Sequence, residues 1–289
     1  MAEVAIVIPA YRSERTIGHC IARFAAETPA AQIVVIDSAP DLASARVAAT
    51  FENVHVVRSE ERLLPHAARN LGARETDAPL LLFTDPDIYP RPGAVASMLG
   101  TQRELGGGVV AAVVSSGTSY TDLAAHNAKF DLWLPRPETP TVELGPTSGL
   151  LVTREDWARV GGIPDGGMLG DTEFCWALGD AGVPIHLAGR AVFEHDHAAT
   201  VGGLVRERFA RGREFAALRG RRRPGTGERI RDVATTVTLL RPARVTLRCA
   251  SSTWRHSGRI QAIATFPVVA SAQCAWFAGE LAGMAAGYR

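Results

Sequence analysis

Leu80-Leu81-Leu82-Phe83-Thr84-Asp85-Pro86-Asp87 is the stretch whose reading decides this fold. An apolar run that stops at two carboxylates one residue apart describes a buried strand delivering paired acids to a sheet edge, where open α/β folds place their ligands. In an extended chain residues i and i+2 point to the same side, and Pro86 keeps Asp85 out of the helical region. Two carboxylates facing one way repel unless a cation lies between them. A hard divalent ion, Mg²⁺ or Mn²⁺, that also grips substrate phosphates meets that need. An ordinary Asp-Pro turn after a strand is the competing reading.

Upstream, Val4 to Ile8 is a continuous apolar run ended by Pro9-Ala10-Tyr11, as in a fully buried strand. Ile17, Cys20, Ile21 and Phe24 then share one helical face, Ile33 to Ile36 repeats the strand pattern up to Asp37-Ser38, and Val54 to Val57 is a third strand. Strands alternating with helices predict an α/β chain with an open, mainly parallel sheet and flanking helices. Binding groups should gather where strands end, and Asp37 and Asp85-Pro86-Asp87 do so. The helix between them, Pro65 to Ala73, carries Arg69 and Asn70.

The bulk numbers set limits. With 289 residues, 46% of them hydrophobic, the chain can fill a large core without staples. Thirty-one basic against 30 acidic residues leave a net charge of +1, so any basic patch is local. Cys20, Cys175, Cys249 and Cys274 show no C-x-x-C spacing, which argues against a zinc ribbon or a disulfide framework and for a reducing compartment. The first residues enter a strand pattern directly, with no leader pattern, so a cytoplasmic active site is expected.

The order strand-Pro-Ala-Tyr, strand-Asp-Ser, a segment close to G-x-A-x-A-R-N-x-G at Pro65 to Ala73, and Asp-x-Asp after a fourth strand resembles family 2 of the inverting glycosyltransferases. The resemblance implies the GT-A fold: a nucleotide-sugar-binding half (1–98), an acceptor-binding half with the catalytic base (99–198), and here a further C-terminal segment of basic and apolar helices (199–289). It implies that Pro9, Tyr11, Asp37, Arg69 and Asp85 line the nucleotide pocket, that Asp87 ligates the metal, and that a nucleotide diphosphate sugar is the donor for a hydroxyl acceptor. Where the family carries two acids and Gly-Ser after the second strand, this chain has Asp37-Ser38-Ala39-Pro40-Asp41.

Beyond Gly106, Val109 to Val114 reads as a buried strand, Tyr120 to Trp133 as a helix or ordered loop before a Pro-rich linker, and Pro146 to Arg154 as a strand entering a helix. Five glycines fall between Gly161 and Gly170, as in a segment that closes over a substrate. Asp171, just after it, is either an N-cap for the helix carrying Phe174, Cys175 and Leu178 or, by resemblance to the family's G-G-F…E-D-x-D segment, the catalytic base. Gly170 stands where the family often has Glu. Glu194-His195-Asp196-His197 places two histidines on one side of an extended segment. Either His195 or His197 completes the metal shell in the family pattern, with His195 favoured.

Arg206, Arg208, Arg211, Arg213, Arg219, Arg221, Arg222 and Arg223 lie on or next to an amphipathic pattern that is read as a helix ending before Gly220. The family carries a similar Arg-rich element, which points to Arg206 or Arg211 at the donor diphosphate. A solvated face and a contact with anionic lipid are the other readings. Nucleic acid is excluded as a partner because no stacking aromatics accompany the charge. Ile260 to Gly287 is the most apolar long stretch, but Gln261, Thr265, Pro267, Gln273 and Glu280 interrupt it. It therefore predicts helices lying in a membrane interface, on the cytoplasmic face, a homo-oligomer contact, or a plain C-terminal helical cap on the soluble domain.

Overall fold

The structure is a computed structural model that describes residues 2–117, 119–197, 199–222, 225–238 and 240–286; Arg223 and Gly287 lie outside the described residues. In chain order its elements are β1 (Val4–Ala10), α1 (Ile17–Glu27), β2 (Gln32–Asp37), α2 (Ala43–Ala48), β3 (Val54–Arg58), α3 (Pro65–Arg74), β4 (Leu80–Phe83), β5 (Ile88–Pro90), α4 (Ala94–Leu105) and β6 (Gly108–Ser115). There follow α5 (Tyr120–Lys129), β7 (Thr141–Val142), β8 (Leu150–Thr153), α6 (Arg154–Arg159), α7 (Gly170–Asp180), β9 (Ile185–His195), α8 (Val201–Arg222), α9 (Thr226–Val237), α10 (Leu240–Ser257) and α11 (Arg259–Ala285).

The described chain forms two compact units, one of residues 1–114 with 135–196 and one of residues 115–134 with 197–289. The boundary at 98 falls inside α4, and one sheet runs through both sequence-defined halves. Residues 115–134 join the C-terminal helices because α5 buries Ala124, Ala125 and Ala128 against Leu204, Val268 and Ala272.

In the first unit the nine-stranded sheet has the order β3-β2-β1-β4-β8-β6-β9-β5, with β7 on β9. β3, β2, β1 and β4 are parallel, as their uninterrupted apolar runs require. The mainly parallel expectation stops there, because β8 runs antiparallel to both β4 and β6, and β5 and β7 run antiparallel to β9. A strand covered on both faces is apolar throughout whichever way its neighbour runs, so the sequence pattern could not separate the two. The core joins Ile6, Ile8, Ile17, Ile21, Phe24, Leu82, Leu151 and Phe193 across the sheet and its helices. α3 lies close on the sheet because Gly72 has no side chain; a Cβ there would meet Val7 Cγ1 at 2.5 Å.

The second unit is helical. α11 packs along α8 through glycines, since a Cβ on Gly212 would lie 2.0 Å from the Trp276 carbonyl oxygen and one on Gly279 2.1 Å from that of Phe209. α8 continues through the buried Gly220 to Arg222, past the end read from the sequence. We expect Gly279→Ala to destabilise the chain by ~1–3 kcal/mol through overpacking. Gly100→Ala on α4, where a Cβ meets nothing within 4 Å, should stabilise it by ~0.4–1 kcal/mol. Urea unfolding of both variants checks the pair, and equal effects would contradict the packing described.

Candidate active site

The strand order 2-1-4 makes the C-terminal edge between β1 and β4 a topological switch point, where the connections leave in opposite directions and a crevice opens. A cavity of about 240 Å³ lies there, walled by Pro9 and Ala10 at the end of β1, Tyr11 and Ser13 after it, Ser38 after β2, Arg62 to Leu64 before α3, Pro65 and Ala68 in its first turn, and Asp85-Pro86 after β4. Pro65 at the first position of α3 leaves no N–H unbonded there and sets the helix start. Arg12, at φ +52°, turns the chain sharply at the end of β1 beside Tyr11. The Arg62 guanidinium lies 4.5 Å from the Tyr11 ring centre.

Of the nucleotide-pocket residues expected from the sequence, Pro9, Tyr11 and Asp85 line this cavity. Asp37 does not. Its fully buried carboxylate accepts from the Ala39 and Ala45 N–H groups at 3.0 and 3.2 Å and from Arg58 Nη1 at 3.0 Å, so it fastens the turn into α2. Ser38 takes its place at the wall. Asp41 is exposed and 3.9 Å from Arg12.

Arg69, 2% exposed, sits behind the cavity and donates to the Asp85 carboxylate and, at 3.4 Å, to the Thr84 carbonyl. Its Nη1 is 3.5 Å from Nδ1 of the buried His66 one turn earlier on α3. His66 in turn borders the start of α7, where a Cβ on Gly170 would be 2.8 Å from its ring and 1.9 Å from the Pro164 carbonyl oxygen. No side chain fits at position 170 without moving Pro164. That accounts for the missing Glu. Contacts thus run without a gap from Asp85 through Arg69 and His66 to the helix that carries Asp171.

Asp171 is not the N-cap: α7 starts one residue before it, with Leu169 as the cap. It lies half-buried in the first turn, where the helix dipole favours a negative charge, and its Oδ1 accepts from the Thr172 N–H at 2.8 Å. Burial pushes the Cys175 thiol up to about 12, against a hydrogen bond from the Gly145 N–H and with the Asp171 carboxylate adding to the rise. The glycine-rich segment before it is not loose at its start. Asn70 donates to the Ile163 carbonyl at 2.6 Å and accepts from the Ile163 N–H at 2.9 Å, fixing that loop to α3.

Asp87 stands just before β5, and the pairing of Ile88 with His195 brings β9 beside it. His195 Nε2 is 3.4 Å from Asp87 Oδ2, and the Asp196 N–H donates to the Asp87 carbonyl at 2.9 Å. Beneath the acids, the buried Cys20 thiol is pushed well up, by burial first and then by the Asp87 and Asp85 carboxylates. Tyr89 is raised too, by burial and then by Asp196 and Asp87. Among the described residues no three His, Cys, Asp or Glu side chains converge on one point. A carboxylate and an imidazole, with substrate phosphates and water for the remaining positions, fit Mg²⁺ or Mn²⁺, which seldom take an all-protein cage.

The two histidines do not face together along one strand. β9 ends at His195, and His197 belongs to the second unit, where its Nε2 is 3.3 Å from His126 Nδ1 and its ring packs on Phe130. In that unit Arg211 pairs with Glu207 at 3.2 Å, while Arg206 is exposed on α8. Arg62, Ser38 and His66 were missed from the sequence. Each is an unremarkable residue in a loop or on a helix face, and only the meeting of β1, β4 and α3 gives it a place.

Removal of Arg69 should be costly twice over. Arg69→Met strands the partly buried Asp85 and the Thr84 carbonyl and is expected to cost ~1–3 kcal/mol. Adding Asp85→Asn should restore most of the stability without restoring the site. Chemical denaturation of the single and double variants tests the pair, and no recovery in the double variant would contradict it.

Comparison with known proteins bears on the family and the fold. The model of the family described as "Glycosyl transferase family 2" matches residues 5–152. The succinoglycan biosynthesis protein ExoU of Rhizobium meliloti (strain 1021) is 36% identical over 101 residues, 34% of this chain and 30% of that protein. A pre-mycofactocin glycosyltransferase of Mycobacterium tuberculosis (strain CDC 1551 / Oshkosh) is 26% identical over 205 residues, 68% of this chain and 43% of that one. The chain thus spans less than half the length of either relative. Among solved structures, the mannosyltransferase PcManGT from Pyrobaculum calidifontis, in complex with GDP-Man and Mn²⁺, superposes with a TM-score of 0.65 at 17% identity over 98% of this chain and 87% of that chain. TarS from S. aureus in complex with UDP-GlcNAc gives 0.54 at 16% identity over 69% and 60%. The fold is GT-A, and the chain belongs to glycosyl transferase family 2.

Proposed function

We propose that the chain transfers a sugar from a nucleotide diphosphate sugar to a hydroxyl acceptor in a single displacement that inverts the anomeric carbon. The observation that carries this reading is the unbroken line of contacts from the switch-point cavity through Asp85, Arg69 and His66 to the helix bearing Asp171. The nucleotide occupies the cavity, with its base against Tyr11 and Arg62 and its phosphates towards Asp85-Pro86-Asp87. Asp87 and His195 would hold a divalent ion beside the donor's phosphates. Bound there, such an ion would supply positive charge to offset the charge that develops on the departing diphosphate.

Asp171 takes the proton from the acceptor hydroxyl as its oxygen bonds to the anomeric carbon and the bond from that carbon to the diphosphate oxygen breaks. Its hydrogen bond to the Thr172 N–H fixes one oxygen and aims the other. Of the two arginines singled out on α8, Arg206 is the one available to an anion, since Arg211 is engaged by Glu207.

A panel of nucleotide sugars with Mg²⁺ or Mn²⁺, read by release of nucleoside diphosphate, tests the reading. Release with one donor class and dependence on metal is the expected result. Release of pyrophosphate from a sugar phosphate and a nucleoside triphosphate would make the chain a nucleotidyltransferase. Binding of a nucleotide sugar with no release under any acceptor would make it a binding protein without turnover.

A further inference from the structure

Three polar residues of α11, Thr265, Gln273 and Glu280, face inward. Thr265 accepts from Asn127 Nδ2 at 3.2 Å, Gln273 accepts from Arg208 at 3.0 Å and donates to the Ala128 carbonyl, and Glu280, fully buried, holds Arg219 and Arg241, each at 3.0 Å. The N-terminal end of the same helix exposes large apolar side chains beside Gln261: Ile260 is 84% exposed, Ile263 60% and Phe266 40%. On α10, Leu247 and Trp254 are likewise more than half exposed. Between these two helices runs an open groove of about 600 Å³, lined by Leu247, Ala250, Trp254, Ala262, Ile263 and Phe266. It is larger than the cavity at the sheet edge. A patch of this kind marks an interaction surface.

Charge identifies what meets it. From Val233 to Gly279 the sequence contains no Asp or Glu and five arginines. Arg241 and Arg248 are engaged by Glu280 and Asp131. Arg244, Arg255 and Arg259 are exposed with no carboxylate partner among the described residues, Arg255 at the groove and Arg259 5.5 Å from the Trp254 ring. A second copy of the chain meeting this face about a twofold axis would set the same arginines against one another. An anionic surface would not.

We infer that α10 and α11 form a docking face for a bilayer bearing anionic headgroups, with the groove taking acyl chain, Trp254 at headgroup depth and the three arginines on lipid phosphate. α11 is long and apolar enough to cross a membrane, but its buried Gln273 and Glu280 are bound to neighbouring helices, so it lies on the surface. This inference stands apart from the proposed sugar transfer.

Flotation of the full chain with phosphatidylcholine vesicles, with and without phosphatidylglycerol, tests it. The bound fraction should be ~10-fold higher on the anionic vesicles and fall at high salt. Trp254→Ser with Phe266→Ser, and Arg244→Glu with Arg255→Glu and Arg259→Glu, should each reduce binding by a similar ~10-fold, with far-UV circular dichroism and melting showing the fold intact. Equal binding to both vesicles, no binding to either, or insensitivity to salt would overturn the inference. A concentration-dependent dimer that the Trp254→Ser/Phe266→Ser variant abolishes would replace it with a contact between copies.

Discussion

Asp171→Asn is expected to lower the turnover number by ~10²–10⁴-fold, the contribution of a positioned general base, while leaving donor affinity unchanged. The substitution is close to isosteric. The Asn carbonyl keeps the acceptor for the Thr172 N–H, and the fold loses only the ~0.3–1 kcal/mol that a carboxylate gains in the first turn of a helix. Pre-steady-state release of nucleoside diphosphate, run alongside donor titration, separates chemistry from binding. Near-normal turnover would remove Asp171 from the base position. Loss of donor binding would show that it serves the nucleotide instead.

The second large effect is expected at Asp87. Asp87→Ala should abolish the metal-dependent part of donor affinity. A residue that only orients a metal ligand is worth ~10–100-fold in metal affinity, and a direct ligand exceeds that. His195→Ala, 3.4 Å away, should raise the Mn²⁺ concentration needed by more than ~100-fold without removing the metal response altogether. Donor titration at several Mn²⁺ concentrations reads both. An Asp87→Ala chain that binds donor with an unchanged metal dependence would place the ion elsewhere.

The parts of this site that lie along the chain were legible in the sequence. β1, β2, β3 and β4 are unbroken apolar runs, and the residues at their C-terminal ends are the ones the fold brings together, because parallel strands end on the same edge. Contacts set by tertiary packing were not. β5 has three residues, two of them Tyr89 and Pro90 after an Asp-Pro turn, and nothing in that composition announces a strand. Yet its pairing with β9 sets His195 against Asp87.

Asp37 carries the family's acid at the expected strand end but spends it on Arg58 and two backbone N–H groups, a choice invisible without the turn into α2. The H-x-H spacing misled for a related reason. Alternation places both rings on one side only while the strand continues, and β9 stops at the first of them. Gly170 shows the opposite case, where a departure from the family pattern has a local steric cause in the Pro164 carbonyl.

The interruptions in the tail were also visible, but not their direction. Thr265, Gln273 and Glu280 recur at seven- to eight-residue spacing and so share a helix face. Only the packing of α11 on α8 shows that this is the buried one.

The central claim is that the switch-point cavity and the Asp87–His195 pair are one metal-dependent nucleotide-sugar site. Thermal melting of the full chain with UDP, GDP and their sugars, each with and without Mn²⁺, tests it most directly, because a ligand that binds only the folded state raises the melting temperature by mass action. The account predicts a rise for nucleotides of one base, present with Mn²⁺ and absent in the Asp87→Ala chain. No rise with any nucleotide, or a rise indifferent to both Mn²⁺ and Asp87, would contradict it.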